Sequence, residues 1–276
     1  MRLRYLKNAE MRARYLAKLR KKLWNIHQNN KKKTTPIFVA GWQRSGTTMF
    51  MNVFHLHPDI KVYDEAHNSK VFFDYRVRNL QIVEKTLQES RFPFACYKII
   101  CDSHILASFI EAFPDAKIIW MYRDGADNAD SLIKKFPHAT QAIRLVAQGK
   151  PGGGWFAEGV SLAVAEKIRE IPLNDLSEFD FACLAWWARN SLYFELGLDC
   201  IPNVRALQYE ELAQEPRLVM NKLFDWLGLR WSENAFRFIH TRSVGKKDLP
   251  KLHPEVEVLC NELKERLDKA SMMNWH

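Results

Sequence analysis

From residue 36 onward, short apolar runs alternate with stretches in which apolar residues recur three and four positions apart. The runs predict buried strands, whereas the three-and-four spacing predicts helices. Strands and helices that alternate through short connections are typical of a parallel, doubly wound sheet. The pattern therefore predicts an α/β domain over residues 34–276, with strands at 37–40, 94–100, 116–122 and 204–209 and helices at 47–57, 104–113, 126–136, 180–197, 215–228 and 255–271.

Two regions break this alternation. Residues 61–80 show no clear period, and we expect an irregular segment anchored by Phe72, Phe73 and Tyr75. Residues 137–180 contain the flexible stretch "GKPGGGW" between flanks of mixed polarity. Two interpretations of this second region are open: it is an insertion or lid over a site, or it is a plain surface excursion.

The first 33 residues form a basic arm with helical spacing. They hold 12 of the 41 Lys and Arg residues but one of the 32 Asp and Glu residues, which leaves 29 basic and 31 acidic residues beyond them. The arm therefore carries +11 and the rest of the chain −2. Three arrangements are open for such an amphipathic helix: it lies on an anionic membrane, it docks on its own domain, or it is simply solvated. The near-neutral domain argues against nucleic acid as the main ligand.

Composition narrows the class of protein further. No apolar run approaches the length of a membrane span, and we find no apolar core of a secretory signal peptide. The five cysteines are an odd number without a CxxC pair, which favours buried thiols in a reducing compartment. We therefore expect a cytoplasmic protein, in which peripheral membrane contact through residues 1–33 stays open.

The loop after the first strand reads "GWQRSGTT" at residues 41–48. Its two glycines have the spacing of a P-loop, G-x-x-x-x-G-K-[ST], whose backbone N–H groups cradle phosphate. Thr47 replaces the lysine of that motif, and Arg44 adds a planar cation suited to phosphate or sulfate oxygens. The pattern predicts an anion site, to which hydroxyl groups are added by Ser45, Thr47 and Thr48.

A second polar group follows the most apolar strand. Arg123 comes directly after residues 116–122, and Ser131 lies eight residues later, about two turns into the next helix. Open α/β sheets bind ligands beyond the carboxyl ends of their strands. We therefore expect Arg123 and Ser131 to reach one anion.

Together these motifs resemble the two cofactor signatures of the sulfotransferases that use PAPS, 3′-phosphoadenosine 5′-phosphosulfate. The resemblance extends from about Pro36 to Lys247, is poorest over residues 137–180 and excludes the arm. It looks closest to the protein-tyrosine and carbohydrate sulfotransferases, whose loops carry Arg-Ser-Gly. The segments that carry it are "QRSGTT", "HPDI" and "AKIIWMYRDGADNADS".

The resemblance implies a binding site for PAPS and for its product, adenosine 3′,5′-bisphosphate (PAP), without a metal ion. The loop would hold the 5′-phosphosulfate, Arg123 and Ser131 the 3′-phosphate, and Tyr209 would lie beside the adenine. A late loop, "HTRSVGK", would complete the site. The cofactor-binding residues implied are Gln43, Arg44, Ser45, Gly46, Thr47, Thr48, Arg123, Ser131, Tyr209, Thr241, Ser243, Lys246 and Lys247.

The resemblance also implies the catalytic groups, namely Glu65 as base with Arg44 and Lys98 near the sulfuryl group. The family often has a proline shortly after this lysine, where this chain has "IICDS". A glutamate is a weak base at its ordinary pKa of about 4.3 unless burial raises it. His67 and His104 remain rival bases.

The expected function is transfer of a sulfuryl group from PAPS to the hydroxyl of a glycan, a lipid head group or a small metabolite. Residues 61–80 and 137–180 are the expected walls of the acceptor pocket. One alternative is a P-loop kinase or NTPase, which should have lysine at position 47. The other is a non-catalytic protein that binds anions or membranes through the arm. No His, Cys and carboxylate cluster has metal-ligand spacing.

Overall fold

The computed structural model describes residues 9–27, 33–65, 68–136, 138–236, 238–240, 245 and 248–273. Its strands are β1 Thr35–Gly41, β2 Ile60–Tyr63, β3 Phe72–Phe73, β4 Arg76–Val77, β5 Phe94–Lys98, β6 Lys117–Tyr122 and β7 Val204–Gln208. Its α-helices are α1 Ala9–His27, α2 Thr47–Leu56, α3 Leu80–Gln88, α4 Leu106–Ala112, α5 Gly125–Lys135, α6 His138–Ala147, α7 Leu162–Glu170, α8 Glu178–Glu195, α9 Tyr209–Gln214, α10 Pro216–Leu227 and α11 Pro254–Met273.

Five strands form one parallel sheet in the order β2-β5-β1-β6-β7. The chain leaves the central strand β1 toward β2 and β5 on one side and later builds β6 and β7 on the other. Ligands of open α/β sheets bind at such a switch point, beyond the carboxyl ends of the strands. The predicted parallel α/β sheet is confirmed, and its switch point lies where the "GWQRSGTT" loop begins.

Alternate residues of β1 face two separate cores. Ile37 and Val39 pack with α2 and α10 on one face of the sheet. Phe38 and Ala40 pack with α5, α8 and α11 on the other. A strand covered on both faces is apolar throughout, which is why the sequence shows a continuous apolar run there.

Residues 61–80 are more regular than we expected. Most of β2 lies in this segment and pairs with β5, and a tight hairpin of β3 and β4 follows. Four residues at a sheet edge are too few to show a period, so the sequence does not reveal this strand. Phe72 is buried, but Phe73 and Tyr75 are 56% and 52% exposed, so the expected aromatic anchoring holds at one position only.

Residues 137–180 contain two helices, α6 and α7, that pack beside α8. Ala139, Ile143 and Ile168 contribute fully buried side chains to the core on that face of the sheet. The alternation of strands and helices is interrupted over residues 137–180, because α6 and α7 pack on α8 rather than on a new strand. The connecting stretch turns through positive φ angles at Gly152 and Gly153, of 114° and 84°.

The described part of the arm, α1, docks on the domain. The Lys21 ammonium donates hydrogen bonds to the carbonyls of Phe54 and Ile60, at 3.0 and 2.7 Å. The Asn52 amide donates to Glu10 at 2.5 Å. The opposite side of α1 leaves large apolar side chains exposed, namely Tyr15, Leu16, Leu19 and Leu23. None of the helices in the described ranges is long and apolar enough to cross a bilayer.

Candidate functional site

The loop after β1 depends on its two glycines. Gly41 has φ 121°, and a Cβ there would lie 2.2 Å from the Met121 carbonyl oxygen on β6. Gly46 has φ 76°, and a Cβ there would lie 2.1 Å from the ring of Tyr209. Only glycine fits both conformations and both contacts. Tyr209 thereby lies against the loop, and its place beside the adenine stays a prediction.

The N-terminus of α2 has the properties of an anion site. Gly46 caps the helix without a side-chain hydrogen bond, and the first turn contains no acidic residue. Helix N-terminal N–H groups and the helix dipole both attract anions. Ser45 and Thr47 are buried and Thr48 is exposed beside these N–H groups.

Asn128 supports the loop from α5, and sequence analysis missed it. Its amide nitrogen donates to the Gln43 carbonyl at 2.9 Å and to the Ser45 hydroxyl at 3.2 Å. It lies within the "RDGADNADS" segment, three residues before Ser131. A buried asparagine on the helix face that carries Ser131 was the signal that could have revealed it.

The structure brings Ser131 to Arg44, whereas we expected it beside Arg123. The Arg44 Nε donates to the Ser131 hydroxyl at 3.0 Å. The pKa of Arg44 is lowered first by burial and second by the positive charge of Arg123. The two arginines therefore lie in the same region beyond the sheet, where the Ser131 hydroxyl accepts from Arg44.

Arg123 is buried between two acids and an aromatic ring. Its Nη2 lies 3.1 Å from Asp127 Oδ2, and its Nε lies 3.7 Å from Glu210 Oε1. Its guanidinium carbon lies 4.8 Å from the ring centre of Tyr209. Burial raises the pKa of Glu210 to about 7, so this acid is partly neutral near pH 7.

The late loop approaches the same place. The backbone N–H of Gly245 donates to Asp127 Oδ2 at 3.1 Å. The neighbouring residues of this loop that we expected in the cofactor site lie outside the described residues, as does the rival base His67. These undescribed loop residues are Thr241, Ser243, Lys246 and Lys247.

Glu65 and Lys98 form a buried pair beside β1. The Lys98 ammonium lies 3.2 Å from Glu65 Oε1, and the Ile100 N–H donates to Oε2 at 2.9 Å. Burial raises the pKa of Glu65 to about 7, although Lys98 and the N–H of Ile100 oppose the shift. Glu65 is therefore matched to accept a proton near neutral pH.

The departure from the family pattern after Lys98 has a structural outcome. Where the family often has a proline, this chain turns at once into a short 3₁₀ helix, Ile100–Ile105. The first N–H of this helix is the one that Glu65 accepts. The segment "IICDS" thereby helps to fix the carboxylate of Glu65.

His104 pairs with a different acid. Its Nε2 lies 3.2 Å from Glu158 Oε2, and its pKa is lowered chiefly by burial and then by the nearby arginines. Among the described residues, no group of His, Cys, Asp and Glu side chains is arranged to hold a metal ion.

Comparison with known proteins identifies a family and two similar folds. The family model described as "Sulfotransferase domain" matches residues 34–248. The chain is similar in fold to the sulfotransferase domain of the olefin synthase from Synechococcus PCC 7002, with 11% identity and a TM-score of 0.53 over 86% of this chain and 98% of that one. It is also similar to the sulfotransferase domain from the curacin biosynthetic pathway, with 14% identity and a TM-score of 0.54 over 85% and 99%.

The two solved domains agree with the fold, and the family match covers well over half of the chain and includes the loop and the Arg123 segment. That match favours sulfotransfer over the P-loop kinases and over a purely non-catalytic role. The chain therefore belongs to the sulfotransferase family and is a PAPS-dependent enzyme.

Proposed function

We propose that the enzyme moves the sulfuryl group of PAPS to an acceptor hydroxyl, with Glu65 as the general base. The observation that carries the proposal is the buried Glu65–Lys98 pair, in which the pKa of Glu65 is about 7. Lys98 pairs in register with Val39, two residues before the loop begins. Lys98 ends β5, the strand next to β1, and Glu65 follows β2 on the other side of β5, so the base and the anion cradle both lie beyond the carboxyl ends of the strands.

The residues present fit PAPS. The uncapped N-terminus of α2 and Arg44 suit the 5′-phosphosulfate, because both donate to anionic oxygens. Arg123 and the ring of Tyr209 suit the 3′-phosphate and the adenine, and Ser131 acts through Arg44. We propose that the loop residues outside the described ranges complete this site, namely Thr241, Ser243, Lys246 and Lys247.

When bound, PAPS supplies an activated sulfuryl group with a phosphate leaving group. Glu65 takes the proton of the acceptor hydroxyl as the new oxygen–sulfur bond forms and the bridging sulfur–oxygen bond breaks. Arg44, Lys98 and the loop N–H groups stabilise the charge that grows on the bridging oxygen. Thr47 replaces the P-loop lysine because the cofactor has no γ-phosphate to hold.

The acceptor is proposed to be a glycan, a lipid head group or a small metabolite, bound between residues 61–80 and 137–180. The two segments meet in the structure, because Arg76 Nη1 lies 2.8 Å from Glu158 Oε2. Asp102, which lies four residues after Lys98, also accepts from Arg76 Nε at 2.5 Å. The contact between the two segments is therefore joined to the short helix that follows Lys98.

We further propose that the arm, residues 1–33, touches an anionic membrane surface. Tyr15, Leu16, Leu19 and Leu23 form one exposed stripe on α1, and the arm carries +11. Apolar insertion and basic flanks are what an anionic bilayer attracts. The protein should sediment with vesicles that contain phosphatidylserine but not with neutral ones, and the change of the three leucines to serine should abolish this. If wild type and the serine variant sediment equally with the phosphatidylserine vesicles, membrane contact through the arm is contradicted.

The cofactor proposal is tested by calorimetric titration with PAP in the absence of magnesium, beside ATP with magnesium. Wild type is compared with Arg44→Ala, Arg123→Ala and the surface control Arg217→Ala, whose side chain is 72% exposed. We expect magnesium-independent binding that weakens about tenfold or more in the first two variants only. A preference for magnesium-ATP, or equal PAP affinity in all four proteins, would overturn the proposal.

A further inference from the structure

Arg189 is a buried cation that forms no ion pair with an acid among the described residues. It lies in α8, and its side chain is fully buried. Its Nη1 donates to the backbone carbonyl of Glu158, but its Nε and Nη2 have no partner among the described residues. Burial lowers the pKa of Arg189 to about 10, so the guanidinium stays charged at neutral pH. A charge buried in this way is unfavourable unless a ligand compensates it.

Trp42 adds another donor at the same place. The Arg189 guanidinium lies 5.7 Å from the ring centre of Trp42, which is the second residue of the "GWQRSGTT" loop. The indole Nε1 of Trp42 is buried and also has no partner among the described residues. Three donor nitrogens of two neighbouring side chains are thus left without a partner among the described residues, and donors alone favour an anion.

The segment of residues 154–160 covers this pair. Trp155 and Phe156 pack on Trp42, with ring centres 5.7 and 5.6 Å away. Glu158 of the same segment directs its carboxylate to Arg76 and His104. Its charge raises the pKa of Arg189, but among the described residues its oxygens pair with Arg76 and His104 rather than with Arg189. Glu158 thereby ties the segment to the 61–80 region.

This cluster lies close to the proposed base. The 3₁₀ helix Ile100–Ile105 lies between the two, since its first N–H donates to Glu65 and its Asp102 accepts from Arg76. Arg76 also donates to Glu158, whose backbone carbonyl accepts from Arg189. The unpartnered donors of Arg189 are thus connected to Glu65 through the two segments proposed to hold the acceptor.

We propose that Arg189 and Trp42 form a subsite for a carboxylate or sulfate group of the acceptor, which the Glu158 segment covers until the acceptor enters. The inference rests on the proposed function and narrows its acceptor class to anionic molecules. The planar fork of Arg189 offers two parallel N–H groups, which is the geometry that a carboxylate matches. Entry of the acceptor displaces Glu158 from Arg76 and His104, so the negative charge of Glu158 opposes binding.

The test uses the full-length protein saturated with PAP, so that the phosphate sites of the cofactor are filled. Glucuronate is titrated as the anionic probe and glucose as its neutral match. We expect wild type to bind glucuronate, but not glucose, at millimolar concentration. Arg189→Gln should weaken glucuronate binding about tenfold or more. Glu158→Gln should strengthen it, and the remote control Arg217→Gln should leave it unchanged.

Each outcome of these titrations either supports or overturns the subsite. No glucuronate binding by wild type, equal binding of glucose, or equal affinity in Arg189→Gln would overturn the inference. If Arg189→Gln fails to fold, as loss of its PAP binding would show, Glu158→Gln and Trp42→Phe decide instead. Tighter binding in the first and weaker binding in the second support the subsite, and no change in both overturns it. Failure of wild type to bind PAP would instead refute the proposed function.

Discussion

The two sides of the phosphate loop are built in different ways. On the cofactor side, Arg123, Asp127, Asn128 and Ser131 all come from residues 123–131, one strand end and the helix that follows it. On the acceptor side, Glu65, Lys98, Glu158 and Arg189 come from segments far apart in sequence. The cofactor side thus takes four of its polar residues from one short segment, although Tyr209, Glu210 and Gly245 join them from elsewhere in the chain. The acceptor side exists only after the whole domain has folded.

The two sides also differ in the charged partners of their central residues, Arg123 and Glu65. On the cofactor side, Arg123 already has acidic partners in Asp127 and Glu210. On the acceptor side, Glu65 has one cationic partner, and its pKa is still raised by burial. Both sides exclude water, since burial raises the pKa of Glu210 as well as that of Glu65 to about 7; they differ in charge, with two acids around one cation on the cofactor side and one acid beside one cation on the acceptor side.

The largest expected effect is on the acceptor side. Glu65→Gln should lower kcat about 10²–10⁴-fold, because the base is lost, while PAP affinity is kept. Steady-state sulfuryl transfer and PAP titration measure the two quantities. The surface change Glu89→Gln serves as the control. A rate within about threefold of wild type would assign the proton to another group, such as His104.

The next largest effect is on the shared loop. Arg44→Ala should lower turnover about 10²–10³-fold, because it removes a charged donor at the bridging oxygen. Ser131→Ala removes only the hydroxyl that orients Arg44, at 3.0 Å, and should cost much less. Transfer rates of both variants at saturating PAPS test the order. A larger loss in Ser131→Ala would show that the serine binds the anion itself.

A smaller effect concerns the packing of the cofactor side. In Gly46→Ala the new Cβ would overlap the Tyr209 ring at 2.1 Å in addition to the strain of φ 76°. Urea denaturation should show a loss of about 1–3 kcal/mol. Gly197→Ala is the matched control, since Gly197 has φ 63° and open space around it. If the two variants lose equal stability, Tyr209 does not press against the loop.

The smallest effect is the dependence of stability on pH. Because the pKa of Glu65 is raised from 4.5 to about 7, the native state keeps a proton that the unfolded state has released. The free energy of unfolding should therefore fall as pH rises from about 4.5 through about 7. Glu65→Gln should flatten the decline, and Glu210 should account for the part that remains. An unchanged decline would contradict the raised pKa.

The sequence predicted the cofactor side better than the acceptor side, for physical reasons. The strand runs, the loop glycines and Arg123 are marked by local patterns of apolar and polar residues. The burial of Glu65 is not, because its acidic neighbour Asp64 suggests an exposed pair and the Ile100 N–H arrives from another segment. Arg189 is likewise invisible, since a helix that is apolar on most sides gives no sign of where its single cation lies.

The most direct test of the account follows conversion of PAPS to PAP by chromatography, with panels of anionic and neutral hydroxyl compounds as acceptors. Wild type and Glu65→Gln are compared from about pH 5 to about pH 9, a range that brackets the expected pKa. We predict that the wild-type rate rises through about pH 7, the pKa of Glu65, and that the variant loses both the rate and this rise while it still binds PAP. A variant that keeps the wild-type rate and pH profile would contradict the account.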